Sequence, residues 1–220
     1  MVANTEINYS ENVKYLGVYF KSVFNSDEQT NNTIKKVNLS LSKIKHCRNS
    51  IPKFAREKII KSVVYPLFDY GSITNHGYGL SGTVNNERRL QLKQNECIRY
   101  ILNTGIRDHL SDHRNNMDML TLFNRREYLI LVFIFKYLHV RKPQYLSYLF
   151  ESSSKLTRSH TNHIFKIKKV ARARDELCFA KSGIKLWNSL PVEIKKCESI
   201  NKFKNSLKLY LMNKQHKNKN

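Results

Sequence analysis

A chain with 39 lysines and arginines against 17 aspartates and glutamates can fold only into shapes that keep like charges apart. The formal charge of +22 opposes compaction by self-repulsion and points to a polyanionic partner. Nucleic acid is the expected one: a pI near 9.9 suits it, and the cations are spread along several helical segments. An anionic membrane would instead gather them in one juxtamembrane cluster, so no membrane partner is expected. Hydrophobic residues make up 40% of the 220, enough for a real core in one or two domains. The longest apolar run, Tyr128 to Leu138, is interrupted by Lys136. A bilayer span takes about 20 residues, so the run reads as a buried core helix. Met1 to Ser10 is polar and carries no secretory signal, and Cys47, Cys97, Cys178 and Cys197 are isolated. Reduced thiols inside a cell are therefore expected, mostly as small core residues.

Val13 to Phe20 is rich in β-branched and aromatic side chains and reads as a short strand, with Gly17 marking a bulge or a close backbone approach. Asn25-Ser26-Asp27 offers helix N-caps, and Glu28 suits a first turn. Behind them Ile34, Val37, Leu41 and Ile44 recur at three- and four-residue steps, one apolar stripe on a helix. Lys35, Lys36, Lys43, Lys45 and Arg48 lie off that stripe, so this helix buries one side and offers cations on the other. A second helix follows Pro52, with Phe54, Ile59, Ile60, Val63, Val64, Leu67 and Phe68 on a wide apolar face and a kink expected at Pro66. Asn75 to Gly82 is glycine-rich but lacks the spacing of a nucleotide cradle, and reads as a flexible connection. A third helix, from about Val84 to Asn103, turns Leu90, Cys97, Ile98, Ile101 and Leu102 inward and carries Arg88, Arg89, Lys93 and Arg99. Three helices on short links suggest a small bundle.

The polar stretch Ile106 to Asn116 reads as a linker to a second lobe. That lobe opens with Met117 to Phe123 and the apolar helix Asn124 to Arg141, and a short helix Gln144 to Phe150 follows Pro143. Glu151 to His163 is rich in Ser and Thr and reads as mobile. The densest basic stretch comes next: Lys166, Lys168, Lys169, Arg172 and Arg174. A helix from Phe179 ends at Pro191, and Ser199 caps a last one with Phe203, Leu207, Tyr210 and Leu211 inward. Asn213 to Asn220 reads as a disordered basic tail.

Several pieces in this order resemble the reverse transcriptases of non-LTR retrotransposons, the jockey-like group. They are Lys14-Tyr15-Leu16-Gly17-Val18 with the basic helix after it, Pro66 with Tyr70-Gly71, Gln94 with Arg99 and Ile101, Thr157-Arg158, and Gly183 with Trp187-Asn188-Ser189-Leu190-Pro191 and Phe203-Lys204. Trp-Asn-x-Leu-Pro is the most specific of them, and Asn75 departs from the tryptophan that the family tends to carry after Tyr-Gly. The resemblance covers nearly all of Val13 to Leu211. It implies a mainly α chain: a thumb-like helical bundle preceded by a short β element and followed by a second helical lobe. The implied divisions are an end-of-palm β element over 1–24, a three-helix bundle over 25–105, the linker 106–116, a C-terminal lobe over 117–212 and the tail 213–220. Tyr15, Leu16 and Gly17 would belong to the hairpin that grips the primer. Lys35, Lys36, Lys43, Lys45, Arg48, Arg88, Arg89, Lys93, Lys166, Lys168, Lys169, Arg172 and Arg174 would contact phosphates of an RNA–DNA hybrid or RNA. The remainder of the polymerase polyprotein is the other implied partner.

Polymerisation is not expected of this stretch alone. The family holds two Mg²⁺ ions on palm carboxylates that include an Asp-Asp turn, and no Asp-Asp occurs here. Asp27-Glu28 and Asp175-Glu176 are acid pairs suited to helix starts. No cofactor is expected, Mg²⁺ belonging to the full-length polymerase. His109 and His113, or His160 and His163, have the spacing of one helix face but no cysteine pair beside them, so no metal site is expected. His46-Cys47 reads as an exposed His beside a core Cys, and Trp187 as a core residue rather than a base-stacking one. The alternative to nucleic-acid binding is an interaction scaffold that exposes the apolar helix Tyr128 to Leu138.

Overall fold

The β-branched stretch near the N-terminus turns back on itself. In the computed structural model, which describes Ser10 and residues 12–21, 27–72, 83–150, 164–167 and 179–217, β1 (Asn12–Tyr15) pairs antiparallel with β2 (Val18–Lys21). The single strand expected over Val13 to Phe20 is therefore a hairpin. Leu16 and Gly17 form its turn with φ of 47° and 78°. Positive φ at both central positions matches the twist of a two-residue hairpin. A run of strand-forming side chains carries no mark of a reversal when Leu fills the first turn position.

The chain is mainly helical beyond the hairpin. α1 (Asp27–Lys45) starts with Asp27 and Glu28 in its first turn, where the helix dipole favours acids. It leads to a rod made of α2 (Lys53–Ile59), a π-helical turn (Ile60–Val64) and α3 (Tyr65–Asp69). The kink expected at Pro66 takes the form of that π turn. Pro66 cannot donate to the turn before it, and the wider turn, closed by the Tyr65 N–H on the Ile60 carbonyl, absorbs the mismatch. The turn also breaks the 3.6-residue stripe: Val63 within it is exposed, as is Phe54 at the start of α2.

α4 (Thr83–Leu102) runs parallel to α1. Asn86 donates to Asp27 near their starts (2.6 Å), and the Tyr100 hydroxyl donates to the Ile44 carbonyl near their ends (3.1 Å). The rod crosses between them in the opposite direction, and Val37, Leu41, Ile60, Val64, Phe68, Leu90, Ile98 and Ile101 fill the core of the three.

The expected linker is packed. It contains α5 (Ser111–Asn116), and Leu110 is buried in the first core. The second lobe is wound about α6 (Leu122–Val140), whose first turn is capped by the Thr121 hydroxyl accepting from the Asn124 N–H (3.3 Å). A 3₁₀ segment (Gln144–Leu149), α7 (Phe179–Asn188), α8 (Val192–Lys195) and α9 (Ile200–Lys217) complete it. Ile130, Leu131, Ile134, Phe135 and Tyr137 are all buried, so α6 is enclosed by its own lobe rather than exposed as a scaffold would need. Among the described residues no helix is long and apolar enough to cross a membrane.

The tail is helical through Lys217, not disordered from Asn213. Polar contacts hold it: Lys214 pairs with Glu127 (2.9 Å), and buried Gln215 accepts from the Thr121 N–H (2.8 Å) and donates to Asn115 (2.9 Å). The glycine-rich stretch 75–82, the Ser/Thr-rich stretch 151–163 and the basic run 168–174 lie outside the described residues.

Candidate nucleic-acid interface

The hairpin tip is held from below and open above. The Tyr70 hydroxyl donates to the Leu16 carbonyl, and a Cβ on Gly17 would sit 3.4 Å from that hydroxyl. Gly17 thus marks a close approach as well as a turn. Gly71, at φ 69°, lies under β2, where a Cβ would come within 3.1 Å of Val18. The Tyr19 N–H donates to the Gln29 side chain on α1 (3.2 Å). Two of the sequence fragments, Tyr-Leu-Gly and Tyr-Gly, therefore meet in space. Tyr15 and Leu16 remain 65% and 74% exposed. An exposed leucine in the left-handed region costs roughly 1–2 kcal/mol, which the contacts beneath the turn offset.

On α1, Lys35, Lys36, Lys43 and Lys45 are all exposed, and none forms an ion pair among the described residues. At about 100° per residue, Lys36 and Lys43 share one flank, Lys35 points away from the core and Lys45 takes the other flank. Four acids pair with other cations: Glu57 with Lys61, Asp69 with Arg125, Glu87 with Arg126 and Glu127 with Lys214. Asp27 and Glu28 line one hollow with Lys35 but form no ion pair with it.

Arg48 differs from these lysines. It turns inward and donates to the last carbonyls of α4, to Arg99 (2.7 Å) and Tyr100 (3.3 Å), with its guanidinium over the Tyr100 ring. Arg56 donates to the same Tyr100 carbonyl (3.2 Å). Two cations at a helix C-terminus complement its dipole, so Arg48 fastens helices together. On α4 itself Arg88 is exposed, Arg89 is half-buried and donates to Asn31 of α1 (2.6 Å), and Lys93 pairs with Glu96 (2.8 Å). Lys166 is exposed. Lys168, Lys169, Arg172 and Arg174 lie outside the described residues.

The joint between the lobes is polar and directional. Arg125 on α6 forms a two-armed pair with Asp69 (2.6 Å on each arm) and lies over the Tyr65 ring. Burial works against the Arg125 charge, but the hydrogen-bonded Asp69 carboxylate outweighs it and holds the guanidinium above its ordinary pKa. Fully buried Gln94 donates to the Leu120 carbonyl (2.8 Å) and to the Tyr65 hydroxyl (3.3 Å). The Leu122 N–H donates to Gln91 (3.1 Å).

The Trp-Asn-x-Leu-Pro fragment is structural. Trp187 is 1% exposed and packs near Phe165 and Phe203, which in turn stacks on Phe135 (4.0 Å). Asn188 copies a strand partner: it accepts from the Phe165 N–H (3.0 Å) and donates to the Phe165 carbonyl (2.9 Å). Leu190 is buried, Pro191 precedes α8, and buried Lys195 donates back to the Asn188 carbonyl (3.0 Å). Burial lowers the Lys195 pKa. Cys97 and Cys197 are buried, whereas Cys47, expected inside, is exposed beside an exposed His46. Among the described residues no three His, Cys, Asp or Glu side chains come together as a metal-holding group.

Fold and surface together define a mainly helical chain of two lobes, with a mounted β-hairpin beside a helix whose four exposed lysines form no ion pair among the described residues. The chain matches no family model, no curated protein and no solved structure.

Proposed function

We propose that this chain is the thumb and post-thumb part of a retrotransposon RNA-directed DNA polymerase, without catalytic carboxylates of its own. It holds template–primer nucleic acid through phosphate contacts. The observation that carries the reading is the pairing of an exposed hairpin tip, mounted on Tyr70-Gly71, with an adjoining helix whose four lysines have no acidic partner among the described residues. The lysines supply sequence-independent attraction to a sugar-phosphate backbone. The tip, with Tyr15 and Leu16 outward, offers an apolar contact at a fixed distance from them. The scaffold alternative loses its support because α6 is buried.

Gel-shift titration on an RNA–DNA hybrid at two salt concentrations tests the proposal. Affinity should fall steeply with salt, with a log–log slope of roughly −0.9 per phosphate contacted, taking the duplex-DNA value. Replacing Lys35, Lys36, Lys43 and Lys45 together by Glu should remove most of the affinity and about four contacts' worth of slope. Salt-independent binding, or none, refutes it.

A further inference from the structure

We propose that the second lobe seats an unpaired stretch of nucleic acid at the far end of α6. The seat is an open hollow of about 890 Å³ lined by residues that include Tyr137, Val140, Arg141, Lys142, Pro143 and Gln144. That volume is within the roughly 300–1,000 Å³ of ligand-sized sites. The inference rests on the nucleic-acid reading above but uses a different lobe and different residues.

Three observations converge there. Arg141 and Lys142 are adjacent, exposed and without an acidic partner among the described residues. Arg141 ends α6 in the left-handed region at φ 55°, its N–H on the Tyr137 carbonyl (2.7 Å), so the chain leaves the helix axis at the hollow. Val140 and Pro143 give the lining an apolar component, and Tyr145, just past Gln144, is 72% exposed.

Cations beside apolar and aromatic surface are what an unpaired strand needs: phosphates meet the charges, and base faces meet the rings. In a duplex those faces are covered by their neighbours. The negative end of the α6 dipole would repel an anion, so Arg141 and Lys142 are what make the hollow hospitable to one.

Fluorescence anisotropy of the full chain with a labelled 12-nucleotide single strand and with a blunt RNA–DNA hybrid tests the assignment. R141E/K142E should bind the strand about tenfold more weakly at low salt and flatten its salt slope by about 1.4, from two contacts at roughly 0.7 each. Its hybrid affinity should remain that of the parent chain. Y145A deletes an exposed ring beside the hollow. Its fold should be as stable as the parent, while strand affinity falls about threefold through lost base stacking. Parent-like strand affinity in R141E/K142E overturns the hollow. So does a loss there with Y145A unchanged, which would mean general charge attraction, or an acidic peptide of equal charge that competes as well as the strand. If hybrid binding is intact in those cases, only this inference falls; if no nucleic acid binds the parent, the proposed function falls with it.

Discussion

Asn188 makes two hydrogen bonds to the backbone of one residue, and their loss can be predicted in size. In N188A the Phe165 N–H and carbonyl lose partners at 3.0 and 2.9 Å while Phe165 stays buried. Each bond contributes roughly 0.5–1.5 kcal/mol net, and a buried group left unpaired adds a cost of about 1–3 kcal/mol where water cannot reach it. Segment 164–167 can move outward and hydrate part of that loss, so the sum is about 3 kcal/mol. For a chain of this size that lowers Tm by about 6–12 °C. N188D keeps the volume and can still accept from the N–H, but faces a carbonyl with a carboxylate, so it should lose at least as much. Trp187 is the only tryptophan and is adjacent to Asn188, so its fluorescence reports on this lobe. Urea titrations followed by Trp187 emission should show the midpoint falling in N188A, with acrylamide quenching rising before the main transition. A loss below about 0.5 kcal/mol, with unchanged quenching, would refute the strand-partner role.

Gly71→Ala should destabilise the chain by about 1–2 kcal/mol from the left-handed backbone alone, and its Cβ would press on Val18 from 3.1 Å. The hairpin would then lift from its mount, and chymotrypsin should cut at Tyr15 faster; unchanged cleavage and Tm count against the mount. Burial pushes the Cys97 thiol up to about 12, so the folded chain keeps its proton while the unfolded one loses it near pH 8.5. Stability that is fully present below about pH 8.5 should therefore decline as pH rises towards 12. Urea unfolding between pH 7 and 10 should show this decline, and C97A should flatten it; an identical slope in C97A rules the thiol out.

Periodicity made the three-helix lobe and the enclosed helix readable, because burial on one face imposes a 3.6-residue repeat whatever the partner is. It could not show the hairpin, whose turn is Leu16-Gly17 rather than a residue pair that favours positive φ at both positions. Nor could it separate Arg48 from Lys45. Both lie off the apolar stripe, and what turns Arg48 inward is the end of α4, 51 residues away. Asn188 is similar, since its partner Phe165 is 23 residues back and in no regular element that a pattern would mark. The tail's helix leaves no such mark either, because it is held by polar contacts from Lys214 and Gln215, residues whose type suggests solvation.

The polar joint bears on how the two surfaces could work together. Apolar faces can slide, but hydrogen-bonded groups fix an orientation. Arg125 with Asp69, Gln94 with Leu120 and Gln91 with Leu122 set the angle at which α6 leaves the first lobe. From that joint α6 runs 19 residues to the hollow, about 28 Å at 1.5 Å per residue. A strand following the helix with duplex-like spacing of roughly 3.4 Å needs on the order of eight nucleotides to cover it. The first lobe and the hollow are thus joined by a rigid length rather than a tether, and Asp69, held by Arg125 at the joint, fixes where that length begins.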